Sequence, residues 1–317
     1  RTSVTRIRRH GAVVLVACLT FAGATKGKDA PAFKTIDVPN AVYTSVNALS
    51  EDVAVGEADD AAGGIHGYVL DRGTFRSFDA PAPASLTILN GVNEKGELSG
   101  VLFDTAARGF VWSRGVLTLL VPPGATRAQA GQINDRGQVA GFFRDSTGKR
   151  RGYVWDKGNY KIFNAPNDHV TGGTVAWSVN NRGDVVGSFV DTDVNRHGFL
   201  LRDGKFTILD PPGSLDTIAW GINDEGAIVG QYFTDRVRGF VFRHGVYTTI
   251  DIPNGQNISP NTISNNGVVG GSYDDATGAT HGFIARVGSL DVETGKPVTQ
   301  RRTPGAVMIK RDRLGRD

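Results

Sequence analysis

The chain has 317 residues, 42 of them glycine, with a single cysteine, 21% charged side chains and a net charge of +3. That length buries a large core without staples, and one cysteine excludes an intramolecular disulfide framework, so the composition points to strands and turns. Residues 1–24 carry four arginines and no acids, and residues 289–317 carry seven lysines or arginines against four acids; about −4 is left for residues 25–288, which argues against capture of a nucleic-acid backbone.

Residues 1–24 read as a signal peptide. RTSVTRIRRH is a positive n-region, GAVVLVACLTFAGA is an apolar run too short for a transmembrane span, and Ala22, Gly23 and Ala24 are the small residues of a cleavage site. The expectation is an extracellular or periplasmic protein. LVAC, ending at Cys18, also resembles a lipoprotein box, and the alternative is a lipid anchor on Cys18. Cleavage after Ala24 would leave no thiol, which suits an oxidising compartment.

From residue 33 the chain repeats. FKTIDVP, Phe33 to Pro39, reads as a fourth strand standing alone, and six units follow it. A Gly-Phe/Tyr pair begins at Gly67, Gly109, Gly152, Gly198, Gly239 and Gly282, a period of about 43 that matches one propeller blade. A second glycine keeps step at Gly56, Gly100, Gly141, Gly187, Gly230 and Gly271. The fifth unit shows the plan: TIAWGIN alternates, NDEG turns, AIVGQYF runs, TDRV turns, RGFVFR runs, HG turns and VYTTID runs, after which proline stops the ladder. The glycine of the Asn-x-x-Gly turn (Gly96, Gly137, Gly183, Gly226, Gly267) supplies a positive φ that a Cβ would disfavour by about 1 kcal/mol. Asn93, Asn134, Asn180 and Asn223 read as turn residues. The first unit, LSEDVAVG, lacks the glycine and is one residue shorter. GFIARVG at 282–288 is a third strand without a fourth, so strand 33–39 is expected to complete it. The fold expected for residues 25–288 is therefore an all-β, six-bladed β-propeller of four-stranded antiparallel blades, closed into a ring that leaves no free sheet edge. Residues 289–317 read as a basic, disordered tail.

His-Gly-Tyr at 66, His-Gly-Phe at 197 and 281, the FVW or YVW strand and the I-N-x-x-G-x-V-V-G run together resemble the HAF-type extracellular repeat family. The resemblance covers residues 33–288, with glycine in place of the motif's alanine and arginine in place of its histidine at 108, 151 and 238. It implies an exported bacterial protein with propeller-like repeats and no assigned activity.

No GxSxG, HExxH, P-loop or GxGxxG pattern occurs, so no catalytic residue is assigned. Two sets recur on the face of the longer hairpins. The first is an aspartate (Asp60, Asp104, Asp145, Asp191, Asp235, Asp275), whose spacing to glycine in the first, third and sixth units suits a type I turn better than a metal ring. DTDVN makes Asp191 and Asp193 weak calcium candidates, although an EF-hand is excluded by Arg196 and Arg202. No other cofactor is expected. The second set is the cation before each Gly-Phe/Tyr: His66, Arg108, Arg151, His197, Arg238 and His281. Histidine and arginine, unlike lysine, present a flat group that stacks, so each is expected either to fill space between blades or to offer donors to an anionic ligand such as a uronate or phosphate. Trp112, Trp155, Trp177 and Trp220 lie in apolar alternation and read as packing residues rather than sugar platforms. The function expected is a monomeric binding or scaffolding module for an extracellular glycan or protein. The alternatives are a polysaccharide lyase or hydrolase assembled from several blades, and a structural envelope protein.

Overall fold

A computed structural model of the chain describes residues 33–287. Residues 1–24, read above as a signal peptide and including Cys18, and residues 289–317 lie outside the described residues. Within them the structure is all β. Strand β1 (Phe33–Ile36) precedes β2 (Ala41–Leu49), β3 (Val53–Asp60), β4 (Ile65–Asp71) and β5 (Thr74–Phe78). Four separate four-stranded antiparallel sheets follow. They are β6 (Leu86–Val92), β7 (Leu98–Phe103), β8 (Ala107–Ser113) and β9 (Val116–Leu120); β10 (Arg127–Ile133), β11 (Val139–Arg144), β12 (Arg150–Asp156) and β13 (Asn159–Phe163); β14 (Thr174–Val179), β15 (Val185–Val190), β16 (Arg196–Arg202) and β17 (Lys205–Leu209); and β18 (Asp216–Ile222), β19 (Ile228–Phe233), β20 (Val237–Arg243) and β21 (Val246–Ile250). The last strands are β22 (Gln256–Ile263), β23 (Val268–Asp274) and β24 (Thr280–Arg286).

The first and last units share an eight-stranded sheet in the order β22-β23-β24-β2-β3-β4-β5, with β1 paired to β24 off that path. β1 runs antiparallel to β24 from Phe33↔Ala285 to Ile36↔Gly282, whereas β24 and β2 meet in one parallel pair, Tyr43↔Thr280. The first strands of successive units pack side by side, β2 on β6, β6 on β10, β10 on β14, β14 on β18, β18 on β22 and β22 on β2. This is a β-propeller built of four-stranded antiparallel blades. Among the described residues no helix is long and apolar enough to cross a membrane.

The hydrophobic core lies between neighbouring sheets. Val55 and Ala48 meet Leu89, Val92 and Phe110; at the far end of the chain Val241 and Ile250 meet Ile258, Val269 and Phe283. Ile36 and Ile284 join Val46 and Tyr68, so the β1–β24 pair shares a core with the first unit. Burying each such side chain contributes about 1.5–3 kcal/mol.

The second repeating glycine now has a cause. Gly187 pairs with Phe199 across β15 and β16, and a Cβ on it would meet Val175 O at 2.0 Å and the Phe199 ring at 2.8 Å. The aromatic of each Gly-Phe/Tyr pair thus covers a glycine on the neighbouring strand. The Asn-x-x-Gly turn is a type I turn closed by a left-handed glycine: Gly137 has φ +82, its N–H donates to Asn134 O at 2.9 Å, and Asn134 N donates to Gln138 O at 3.0 Å. In the shorter first unit Ser50 and Val53 exchange hydrogen bonds directly. Every first strand also carries a register shift just before this turn, as between Ala130 and Ile133 or Ala176 and Ser178. Such a bulge re-aims side chains, here toward the propeller axis.

Candidate functional site

The asparagines are turn residues and more. The Asn134 side-chain oxygen accepts from Arg136 N (3.0 Å) and Gln138 N (2.9 Å), which fixes its own turn. Its amide nitrogen donates to Gln138 Oε1 (3.0 Å) and crosses to the next sheet, to Asn180 O (2.9 Å). Asn93 reaches Asn134 O (2.9 Å), Asn180 reaches Asn223 O (3.0 Å) and Asn223 reaches Ser264 O (3.0 Å). A second tier lies one residue on. Glu94 N donates to Asp135 Oδ1 (2.9 Å), Asp135 N to Asn181 Oδ1 (2.9 Å), Asn181 N to Asp224 Oδ1 (2.7 Å) and Asp224 N to Asn265 Oδ1 (2.8 Å). These links between sheets were missed in the sequence. The signal for them is the acceptor four residues after the asparagine, Glu97, Gln138 or Asp184, which takes the amide's other proton.

Asp184 is buried here. Burial pushes its carboxyl up, but the Arg202 fork at 2.9 and 2.8 Å and the Asn180 amide outweigh that and hold it below the ordinary carboxylate value.

The turns surround a cup on the axis, which opens outward between β1–β24 and β3–β4 past Lys34, Ile36, Leu70 and Ile284; the whole cavity is about 630 Å³. Its floor is Gln132. The Gln132 amide donates to Asn47 O on β2 and Asn261 O on β22, both at 3.0 Å, and its oxygen accepts from Ser178 Oγ on β14 at 2.7 Å. One side chain therefore crosses the axis and ties three other units together. Above it the lining includes one aliphatic side chain per unit: Leu49, Val92, Ile133, Val179, Ile222 and Ile263. The rim is Glu51, Glu94, Asp135, Asn181, Asp224 and Asn265, rich in hydrogen-bond acceptors. A cavity of this size with an apolar wall and a few fixed polar groups has the form of a small-molecule site.

The six sequence-selected cations lie at the other ends of the sheets and do not meet. Each is held within its own unit, except that His281 also reaches Asp37. His66 bonds Asp79 (2.8 Å) and faces Asp60 (3.4 Å). His197 bonds Asp210 (2.6 Å) and Asp191 (3.0 Å), and His281 bonds Asp37 (2.8 Å), just beyond β1, and Asp275 (3.3 Å). Arg151 bonds Asp145 (2.7 Å) and Asn164 (3.1 Å), and Arg108 bonds Asp104 (2.8 Å). The recurring pattern is a latch that joins the hairpin turn to the end of the fourth strand. The Asp210 bond, followed by that to Asp191, raises the His197 imidazole to about 9 against the cost of its burial. Asp79 and Asp60 raise His66; at His281 burial opposes protonation, and Asp37 and Asp275 still carry it upward. The stacking partner is the cross-strand residue, Phe189 for His197 at 5.3 Å and Tyr273 for His281 at 5.4 Å.

The aspartates form the turns their spacing implies. Gly63, Gly148 and Gly278 donate to the carbonyls of Asp60, Asp145 and Asp275 at 2.9–3.1 Å. Asp191 accepts from Asp193 N and Asn195 N at 2.9 and 2.8 Å, so its carboxylate organises its own loop. Among the described residues no group of three or more His, Cys, Asp or Glu side chains is placed to hold a metal ion. Asp235 needs a correction. Thr234 N donates to Arg236 O as Asp104 N donates to Ala106 O, so Thr234 holds the turn position and Asp235 stands one residue later, 74% exposed. Trp112 and Trp155 pack against the core between sheets. Trp177 and Trp220 are half-buried, with ring centroids 4.6 Å apart and indole nitrogens lacking a hydrogen-bond partner.

No family model matches the chain, and no curated protein matches it. Solved structures do. AofleA from Arthrobotrys oligospora superposes with a TM-score of 0.53 at 14% identity, over 86% of this chain and 92% of that one. The Aleuria aurantia lectin, a fungal lectin described as a six-bladed β-propeller that recognises fucose, superposes with a TM-score of 0.51 at 10% identity, over 82% of this chain and 96% of that one. At these identities the likeness concerns the fold.

Proposed function

We propose that this chain is a six-bladed propeller, its ring closed by β1, that serves as an exported glycan-binding module with its ligand in the axial cup. The blade count rests on dividing the eight-stranded sheet at its single parallel pair, into β2–β5 and β22–β24 with β1. Support for closure comes from the packing of β22 on β2 and the core shared by Ile36, Ile284 and Val46. Export rests on the signal-like residues 1–24, with an anchor on Cys18 as its variant, and membership of the HAF-type repeats rests on the motifs of residues 33–288.

The observation that carries the binding reading is the cup itself. Aliphatic side chains below a rim of acceptors suit the apolar face and donating hydroxyls of a sugar. The two hydrogen-bonded tiers hold that rim in place before a ligand arrives, which lowers the ordering cost of binding. The likeness to a fucose-recognising lectin fold agrees with this reading.

Thermal unfolding against a panel of neutral glycans tests it. One glycan class at about 100 times its Kd should stabilise the protein by about 2.7 kcal/mol, and Glu94→Gln or Asp224→Asn at the rim should reduce that shift. A shift that rim substitutions leave untouched would place the ligand elsewhere and sink the reading.

A further inference from the structure

The β19–β20 turn differs from its five counterparts. In those, an aspartate at the turn bonds or faces the cation that opens the next strand: Asp60 with His66, Asp104 with Arg108, Asp145 with Arg151, Asp191 with His197 and Asp275 with His281. In the fifth unit the neutral Thr234 stands there. Arg238 Nε reaches its hydroxyl at 3.3 Å, and Nη2 reaches the exposed Asp235 at 3.2 Å. The strand-end acid, Asp251, accepts instead from its neighbour Ile252 N at 3.0 Å. A second arginine, Arg236, exposed, occupies the place that Ala106 holds in the second unit. These changes coincide with a cleft of about 60 Å³ between β20 and β22, lined by Arg236, Arg238, Thr249, Asp251, Gln256 and Asn257 among others. That volume admits a few water molecules, or one carboxylate, but not a sugar ring.

We propose that this cleft is a subsite for the carboxylate of a sugar acid. Planar guanidinium groups match a carboxylate in a forked, charge-assisted geometry that lysine does not reproduce. Arg238, whose usual turn aspartate is replaced by Thr234 and whose remaining acid is the exposed Asp235, and Arg236 supply the fork. Asp251 beside them accepts from a sugar hydroxyl, and together with Asp235 keeps the cleft near neutral, which disfavours a phosphate dianion. The inference rests on the glycan reading but lies at the opposite ends of the sheets from the cup.

The test is a ¹⁵N NMR titration of the full chain with sodium glucuronate at constant ionic strength, with glucose, acetate and inorganic phosphate as parallel arms. Glucuronate is expected to shift resonances of residues 234–238 and 249–257, acetate to do so more weakly, and glucose not at all. Arg238→Lys should weaken glucuronate about tenfold, while Arg108→Lys, at the equivalent latched position, leaves it unchanged. Arg236→Gln, on an exposed side chain that carries no fold contact, should also weaken it. Equal shifts with glucose, tighter binding of phosphate than of glucuronate, or binding indifferent to both arginine substitutions would overturn the proposal. If neutral glycans fail to bind while glucuronate still moves these residues, the cup reading falls and this one stands.

Discussion

The two ends of the sheets are held by different chemistry. At the Asn turns one neutral amide recurs in four units, with Ser50 and Ser264 in the other two, and its bonds run from sheet to sheet. At the longer hairpins the group varies between histidine and arginine, its partner between aspartate, asparagine and threonine, and its bonds stay within a unit. Contacts between sheets decide whether the propeller assembles, so the repeat tolerates little there. Contacts within a unit fasten one turn, and they can be altered singly. That is why the one departure, at Thr234, has room to carry a ligand.

Breaking the inter-sheet asparagine series, which runs from Asn93 to Ser264, should have the largest effect. Asn180 is 3% exposed and makes four hydrogen bonds, so Asn180→Ala leaves several buried groups unpaired. It should cost about 3 kcal/mol in urea unfolding, given about 1–3 kcal/mol for each buried unsatisfied group after partial relaxation. A loss under about 1 kcal/mol would show that this series is not the assembling contact.

The latches should show in pH dependence. The His197 imidazole is raised to about 9 from an ordinary 6.5, so its stabilisation is full below pH 6.5 and is lost as pH rises through about 9. Urea midpoints of the wild type should therefore fall between pH 6.5 and 9, and His197→Gln should flatten part of that fall. An unchanged slope in the variant would dismiss the latch. Asp184 behaves in the opposite sense: its lowered carboxyl stabilises the fold above its ordinary 3.8 and the benefit disappears as pH falls below it. Asp184→Asn should weaken the acid-induced loss and lower stability at pH 7.

The smallest stability change is expected from Thr234→Asp, which restores the acid found in the other units. It should gain no more than about 1 kcal/mol, as a partly exposed ion pair does. It should also abolish the glucuronate shifts by occupying Arg238, and shifts that persist would separate the cleft from the latch.

Much of this was legible in residues. The period of Gly-Phe/Tyr set the units, and the strand order of the fifth unit followed from alternation between turn signals; β18 to β21 lie where TIAWGIN, AIVGQYF, RGFVFR and VYTTID place them. Turn chemistry was legible because Asp and Gly act on their immediate neighbours. What was not legible acts across units. Asn134 reaching Asn180 O joins residues 46 apart, and Gln132 reaching Asn261 O joins residues 129 apart. Nothing local distinguishes Gln132 from an ordinary strand residue, so the cup floor emerges only once the first strands converge. Asp235 misled because threonine takes the turn position that Asp104 holds in the equally short turn of the second unit, and the acid stands one place later, which a scan for recurring aspartate cannot register.

The central claim is that the axial cup receives a neutral glycan. The most direct measurement is a crystal structure grown with the glycan that stabilises the protein best. Sugar density over Ile133, Val179 and Ile222, with hydroxyls on the Glu94, Asp135 and Asp224 rim, is the predicted result. Sugar density confined to the longer-hairpin face, with the cup holding only solvent, would contradict it.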